Sequence, residues 1–282
     1  MISQVAELRM LLKNARQANQ TVGLVPTMGY LHEGHLTLMR QAKREQDVVV
    51  ASIFVNPLQF GPNEDYAVYP RNLERDGELA AGAGVDILFT PRVEDMYPQG
   101  YENMLSFVEV TGITKKLCGA SRPGHFRGVT TVVAKLFNIA RPDAAYFGQK
   151  DAQQVAVIKR MVADLNMDIR IVAVPIVREA DGLALSSRNV FLNPAERQAA
   201  LVLHRSLELA GDLLAAGQRD AAGIKAAMAG LINKEPLAAI EYISLCDLKF
   251  LEELAEIESA ALIAIAVKIG KTRLIDNRIW RG

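Results

Sequence analysis

Pro26-Thr27-Met28-Gly29-Tyr30-Leu31-His32-Glu33-Gly34-His35 joins a short apolar run to a helical pattern and sets two imidazoles and two glycines at the junction. Upstream, Thr21-Val22-Gly23-Leu24-Val25, closed by Pro26, reads as a buried strand of a parallel sheet. Downstream, Leu36, Leu38, Met39 and Ala42 alternate with Arg40, Lys43 and Arg44 at helical spacing, which predicts a helix to about Glu45. His32 and His35 then fall at or just before a helix N-terminus, where unpaired backbone N–H groups and the helix dipole attract phosphate. Gly29 and Gly34 allow a sharp turn and a close ligand approach. Two imidazoles three residues apart can point at one triphosphate and donate hydrogen bonds as charge moves onto a leaving pyrophosphate. The same residues could simply cap or pack a turn, so the rest of the chain has to discriminate.

The chain has 282 residues, enough for an α/β domain of full size and a smaller one. Lys+Arg and Asp+Glu both number 32, so no global field favours nucleic acid or an anionic membrane surface. Cys118 and Cys246 have neither metal-type nor redox-type spacing and read as buried small hydrophobes in a reducing compartment. Glu7, Arg9 and Lys13 interrupt the N-terminal apolar residues, unlike a signal peptide, and no run approaches the roughly 20 apolar residues of a membrane span. These features predict a cytoplasmic protein with no nucleic-acid or membrane partner.

Along the chain, residues 3–19 read as an amphipathic helix, and Val48 to Val55 as a second buried strand ending in Asn56-Pro57-Leu58-Gln59-Phe60-Gly61. Ligands of open parallel sheets gather beyond the carboxyl ends of strands, which puts Asn56 and Gln59 on the rim with His32 and His35. Leu73 to Ala83 predicts a helix stopped by Gly82 and Gly84, and Val85 to Phe89 a third strand. Arg122, His125 and Arg127, in the glycine-rich approach to a helix predicted over Val129 to Ile139, could bind carboxylate or phosphate or merely decorate a loop. A strand at Ala144 to Phe147 runs into Gly148-Gln149-Lys150-Asp151 and a helix carrying Gln153 and Gln154; Asp151 could be only a helix cap. Ile169 to Val177 supplies a further strand, so the fold class is α/β, a Rossmann-like doubly wound parallel sheet. Two hydroxyls and a guanidinium in Asp181-Gly182-Leu183-Ala184-Leu185-Ser186-Ser187-Arg188-Asn189 suit a clamp that closes over phosphates. Asn193, Pro194 and Glu196 read as a capped helix start, and a smaller C-terminal α+β domain follows, dividing the chain into residues 1–175 and 176–282. Gly270-Lys271-Thr272 mimics the end of a phosphate-binding loop, but Ile265 stands where its first glycine is needed.

His32-Glu33-Gly34-His35, Phe54-Val55-Asn56-Pro57-Leu58-Gln59-Phe60, Arg122-Pro123-Gly124-His125-Phe126, Gly148 to Gln154, Asp181 to Asn189 and Arg273-Leu274-Ile275-Asp276-Asn277 occur in the order of the pantoate–beta-alanine ligases. The chain resembles that family, within the nucleotidyltransferases that carry the His-x-Gly-His motif, from end to end. The resemblance implies a nucleotidyltransferase-type α/β domain, a smaller C-terminal lid domain and a homodimer. It also implies condensation of pantoate with beta-alanine, with ATP as substrate and Mg²⁺ required, releasing AMP and pyrophosphate. It makes Met28, Gly29, Tyr30, Leu31, His32, Glu33, Gly34 and His35 an ATP segment, with His35 as proton donor and His32 as its phosphate-binding partner. Gly148, Gln149, Lys150, Asp151, Val177, Leu185, Ser186, Ser187 and Arg188 would surround ATP, with Lys150, Ser186, Ser187 and Arg188 on the phosphates. Gln59 and Gln154 would hold pantoate, with Gln59 near the incoming beta-alanine. The metal would ride mainly on the ATP phosphates, joined at most by Asp151. Gln149 stands where the family commonly has glutamate, which a backbone contact there would tolerate. A related nucleotidyl transferase, lacking a need for Gln59 and Gln154, and a noncatalytic nucleotide-binding module are the rival readings.

Overall fold

The computed structural model describes residues 1–62 and 64–282. After helix α1 (Val5–Gln17) come strand β1 (Val22–Thr27), α2 (Glu33–Glu45), β2 (Val48–Ile53), α3 (Leu73–Gly82), β3 (Ile87–Phe89) and the short α4 (Val93–Met96) and α5 (Leu117–Ser121). Then follow α6 (His125–Ala140), β4 (Ala144–Gly148), α7 (Ala152–Asp164) and β5 (Arg170–Val174). These five strands form one parallel sheet in the order β3-β2-β1-β4-β5, the doubly wound arrangement expected. Alternation along the strands assigns the two faces. Leu24, Val50, Ala145 and Phe147 pack toward the core shared with α1, α6 and α7, whereas Val25, Val49, Ala51 and Tyr146 pack toward α2 and α3.

The order reverses between β1 and β4, and there the sheet opens. β1 pairs with β2 from Val22 to Thr27 but with β4 only through Gly23 and Leu24. Pro26 does not close β1, as its lack of an N–H suggested; the strand runs on to Thr27, and Pro26 lies where β4 has already ceased to pair. A crevice at such a switch point is where ligands of these sheets bind.

The second part begins after a loop with α8 (Pro194–Ala199), α9 (Leu201–Ala215) and α10 (Ala221–Ile232), followed by an antiparallel sheet of β6 (Ala238–Cys246), β7 (Ala261–Ile269) and β8 (Thr272–Trp280). Asn193 and Glu196 form the capping box read from the sequence, with Pro194 in the first turn. Ile263, Ile265, Val267 and Ile269 of β7 pack toward α9 and α10, whereas Leu262 and Ala264, with Cys246, belong to the core of the larger domain. Gly270-Lys271-Thr272 forms the tight β7–β8 connection, with Gly270 at φ +56°, and not a phosphate loop. Cys118 and Cys246 are both buried and unpaired. No helix among the described residues is long and apolar enough to cross a membrane.

Candidate active site

The histidine loop is built around one buried carboxylate. Asp76, 1% exposed in the first turn of α3, accepts the backbone N–H of Tyr30 and of Leu31, both at 2.7 Å. Those bonds hold Gly29 at φ +84° and Tyr30 at φ +48°, a left-handed conformation that costs a non-glycine residue about 1 kcal/mol or more. The turn brings His32 to the N-cap of α2. His32 Nδ1 accepts the Gly34 N–H at 3.2 Å, and His35 Nδ1 accepts the His32 N–H at 3.3 Å. A Cβ on Gly34 would lie 2.9 Å from the His32 ring, so glycine leaves room for that ring to fold over the helix end.

This reciprocal capping fixes the chemistry of both rings, whose centroids are 4.1 Å apart. Burial, reinforced by Lys150, holds His32 down to about 4; burial and then His32 itself hold His35 well below the ordinary value. Both imidazoles are therefore neutral near pH 7. With each Nδ1 accepting, each proton sits on Nε2, the nitrogen left to face the cavity.

Next to the histidine loop's strand, Asn56 at the end of β2 is 1% exposed, donates to Gln59 Oε1 and to Gly128 O, both at 3.2 Å, and accepts from the Tyr97 hydroxyl at 2.6 Å. It shapes the turn that presents Gln59, and does not itself line the cavity beside the histidines. The Gln59 carbonyl accepts from His125 Nδ1 at 2.8 Å and from Arg122 at 3.3 Å. Because a carbonyl only accepts, His125 carries its proton on Nδ1, and its Nε2 accepts from Arg122 at 3.1 Å. Burial, then Arg122, pull the His125 pKa down to about 4. Arg122 is further paired with Glu64. Arg122 and His125 thus face the cavity; Arg127 stacks on Phe107 and does not. The helix that carries His125 begins at that residue, four earlier than the apolar pattern suggested.

His32, Gly34, His35, Gln59, Gln154, Gly148, Lys150, Asp151, Val177, Leu185, Ser186, Ser187 and Arg188 all converge on this one cavity, together with Met28. Gln153 does not: it donates to Ile113 O and Lys116 O. Asp151 is an N-cap whose side chain makes no cap bond, so capping does not account for it. Ser187 Oγ donates to Tyr30 O at 3.3 Å and docks the serine segment on the histidine loop. Arg188 is held by both oxygens of Asp65, at 2.9 and 3.0 Å, above the Tyr69 ring. The other residues of the expected ATP segment support the loop from behind: Leu31 is fully buried in the core, Glu33 pairs with Arg40 on the surface, and Tyr30 stacks under Arg75. Gln149 also faces away, toward Asn277. Among the described residues, no three His, Cys, Asp or Glu side chains cluster as a ready metal cage.

A family model described as pantoate-beta-alanine ligase matches residues 1–279. The chain belongs to the pantoate-beta-alanine ligase family. It is 60% identical over 275 residues to the pantothenate synthetase of Pelotomaculum thermopropionicum, covering 98% of this chain and 96% of that protein. With that of Moorella thermoacetica it shares 59% over 277 residues, 98% and 97% of the two chains. The crystal structure of pantothenate synthetase from Thermus thermophilus superposes with a TM-score of 0.93 at 48% identity, covering 98% of each chain. A pantoate-beta-alanine ligase from Francisella tularensis, complexed with beta-gamma ATP and beta-alanine, superposes at 0.79 with 37% identity, covering 99% and 96%. Family membership makes the chain a ligase of pantothenate biosynthesis.

For such a ligase, Asp76, Glu64, Asp65 and Tyr69 are the site's structural partners that the sequence reading did not single out. Each is an ordinary polar residue with no local motif, joined to the site only by the fold.

Proposed function

We propose that this ligase condenses (R)-pantoate with beta-alanine, consuming ATP and releasing AMP and pyrophosphate through an enzyme-bound pantoyl adenylate. The observation that carries the reading is the convergence on one cavity of two neutral, Nε2-protonated imidazoles, Lys150 and two neutral amides, Gln59 and Gln154.

In the first step a pantoate carboxylate oxygen attacks the α-phosphorus of ATP, a P–O bond forms, and the bond to the bridging oxygen breaks to release pyrophosphate. Repulsion between the two anions opposes the approach. Lys150 and Arg188 offset it, and the amides of Gln59 and Gln154 orient pantoate without sequestering its carboxylate in an ion pair. His32 donates to a phosphate from Nε2–H. The arriving triphosphate raises the pKa of both rings, so His35 becomes the donor that meets the charge on the leaving pyrophosphate. The donor set, with Asp151 at the cavity and no protein cage among the described residues, fits Mg²⁺ held mainly by phosphate oxygens, where the ion would neutralise charge. In the second step the free amine of beta-alanine attacks the acyl carbon, the C–O bond to AMP breaks, and the amine's surplus proton leaves to solvent. Exclusion of water protects the adenylate, a role for the 178–189 segment and for residues 176–282 as a closing domain. The active unit is a homodimer working in the cytoplasm.

Pyrophosphate release from ATP is expected to require D-pantoate and Mg²⁺, with AMP and the amide appearing only when beta-alanine is added. Release that ignores pantoate would favour the related transferase; no release with any acid would favour a noncatalytic module.

A further inference from the structure

The C-terminal strand reaches back into the site. Asn277 of β8, 3% exposed, donates from Nδ2 to the backbone carbonyls of Gln149 at 3.0 Å and Lys150 at 2.9 Å, residues 128 and 127 positions away. Its Oδ1 lies 3.5 Å from the Gln149 amide, an arrangement that orients the Asn277 side chain with its NH₂ on the two carbonyls. Asn277 is itself fixed. Its N–H donates to Asp276 Oδ1 at 2.7 Å, and Asp276, also 3% exposed, binds Arg178 through both oxygens at 2.6 and 2.9 Å. Arg178 in turn donates to Gly182 O at 3.0 Å. The hairpin it anchors is closed by Glu179 N–H to Leu183 O at 2.8 Å and Leu185 N–H to Val177 O at 3.0 Å, and it delivers Ser186, Ser187 and Arg188 to the cavity.

We infer that Asn277 is a positioning residue for Lys150, and that the Arg178–Asp276–Asn277 chain sets the Lys150 turn and the serine segment at a fixed separation across the phosphates. The inference rests on the functional reading above. Asn277 touches no substrate; it acts through the backbone that aims the ammonium group. It also explains Gln149, whose main chain is gripped while its side chain is turned from the cavity, so the amide in place of glutamate leaves the site's charge pattern intact.

The test is a double-mutant cycle on single-turnover, pantoate-dependent pyrophosphate release by the full chain. Asn277→Ala is expected to slow release about 10- to 100-fold, the scale of a misplaced reacting group, while the pantoate KM stays within about threefold. In the Lys150→Ala background the same substitution is expected to cost less than about twofold, because the group it positions is gone. An equal loss in both backgrounds, or an unimpaired Asn277→Ala enzyme, would overturn the inference. Asn277→Ser, which keeps one donor, is read on the same cycle and decides the matter if the alanine variant does not fold. Absence of pantoate-dependent release from the unsubstituted enzyme would instead overturn the functional reading.

Discussion

A neutral imidazole whose Nδ1 is occupied by a backbone N–H has one proton to offer, and at His32 and His35 the fold directs it into the cavity. His35→Ala removes that donor and, at the helix start, the side-chain acceptor of the His32 backbone N–H. Adenylation is expected to fall at least about 10²-fold, with loss of about 1 kcal/mol of stability; near-normal pyrophosphate release with an unchanged melting curve would contradict the role. At this scale the sequence was informative for the residues that face the cavity, because His32, His35, Lys150 and Gln59 follow strand ends directly. It was silent on Asp76, whose two bonds to the loop span 45 and 46 residues, since a carboxylate in an ordinary helix start carries no mark of the loop it will meet.

Among the elements, the contact of α6 with the turn after β2 sets the position of Gln59. A Cβ on Gly128 would lie 2.2 Å from Leu58 O and 2.7 Å from the Gln59 Cα, so only glycine lets the helix approach Gln59, the residue proposed to present its amide to pantoate. Gly128→Ala is therefore expected to raise the KM for pantoate by about tenfold or more while changing that for ATP little, since the displaced group is one proposed to hold pantoate; steady-state kinetics with each substrate varied would check it. The apolar runs of β1, β2 and β4 were legible because both faces of a parallel strand are buried. The first turn of α6 was not, for His125, Arg127 and Gly128 serve the ion network, the surface and the close contact more than helix propensity. β8 was hard to read for a similar reason: Thr272, Arg273, Asp276 and Asn277 give it a polar composition, though the strand is paired throughout with β7.

For the whole molecule, the depressed pKa values of His32, His35 and His125 become a stability dependence on pH. In the unfolded chain each titrates near 6.5, whereas in the native state His32 and His125 do so only near 4 and His35 is likewise held well below its ordinary value. The unfolded state therefore binds more protons through this window, so the contribution is full above about pH 6.5 and is lost as pH falls toward 4. Unfolding free energy is expected to drop by about 2 kcal/mol or more between about pH 7 and about pH 4.5 in urea titrations. His125→Gln should flatten the slope, and a pH-independent midpoint would refute the account. At this scale the two hydrophobic cores meet at strand β7, where Leu262 and Ala264 face one interior while Ile263 and Ile265 face the other. That strand is a party wall. A slip of one residue would exchange the two sets of side chains and mispack both halves of the protein together, so the alternation guards against misregistered folding intermediates from two sides at once.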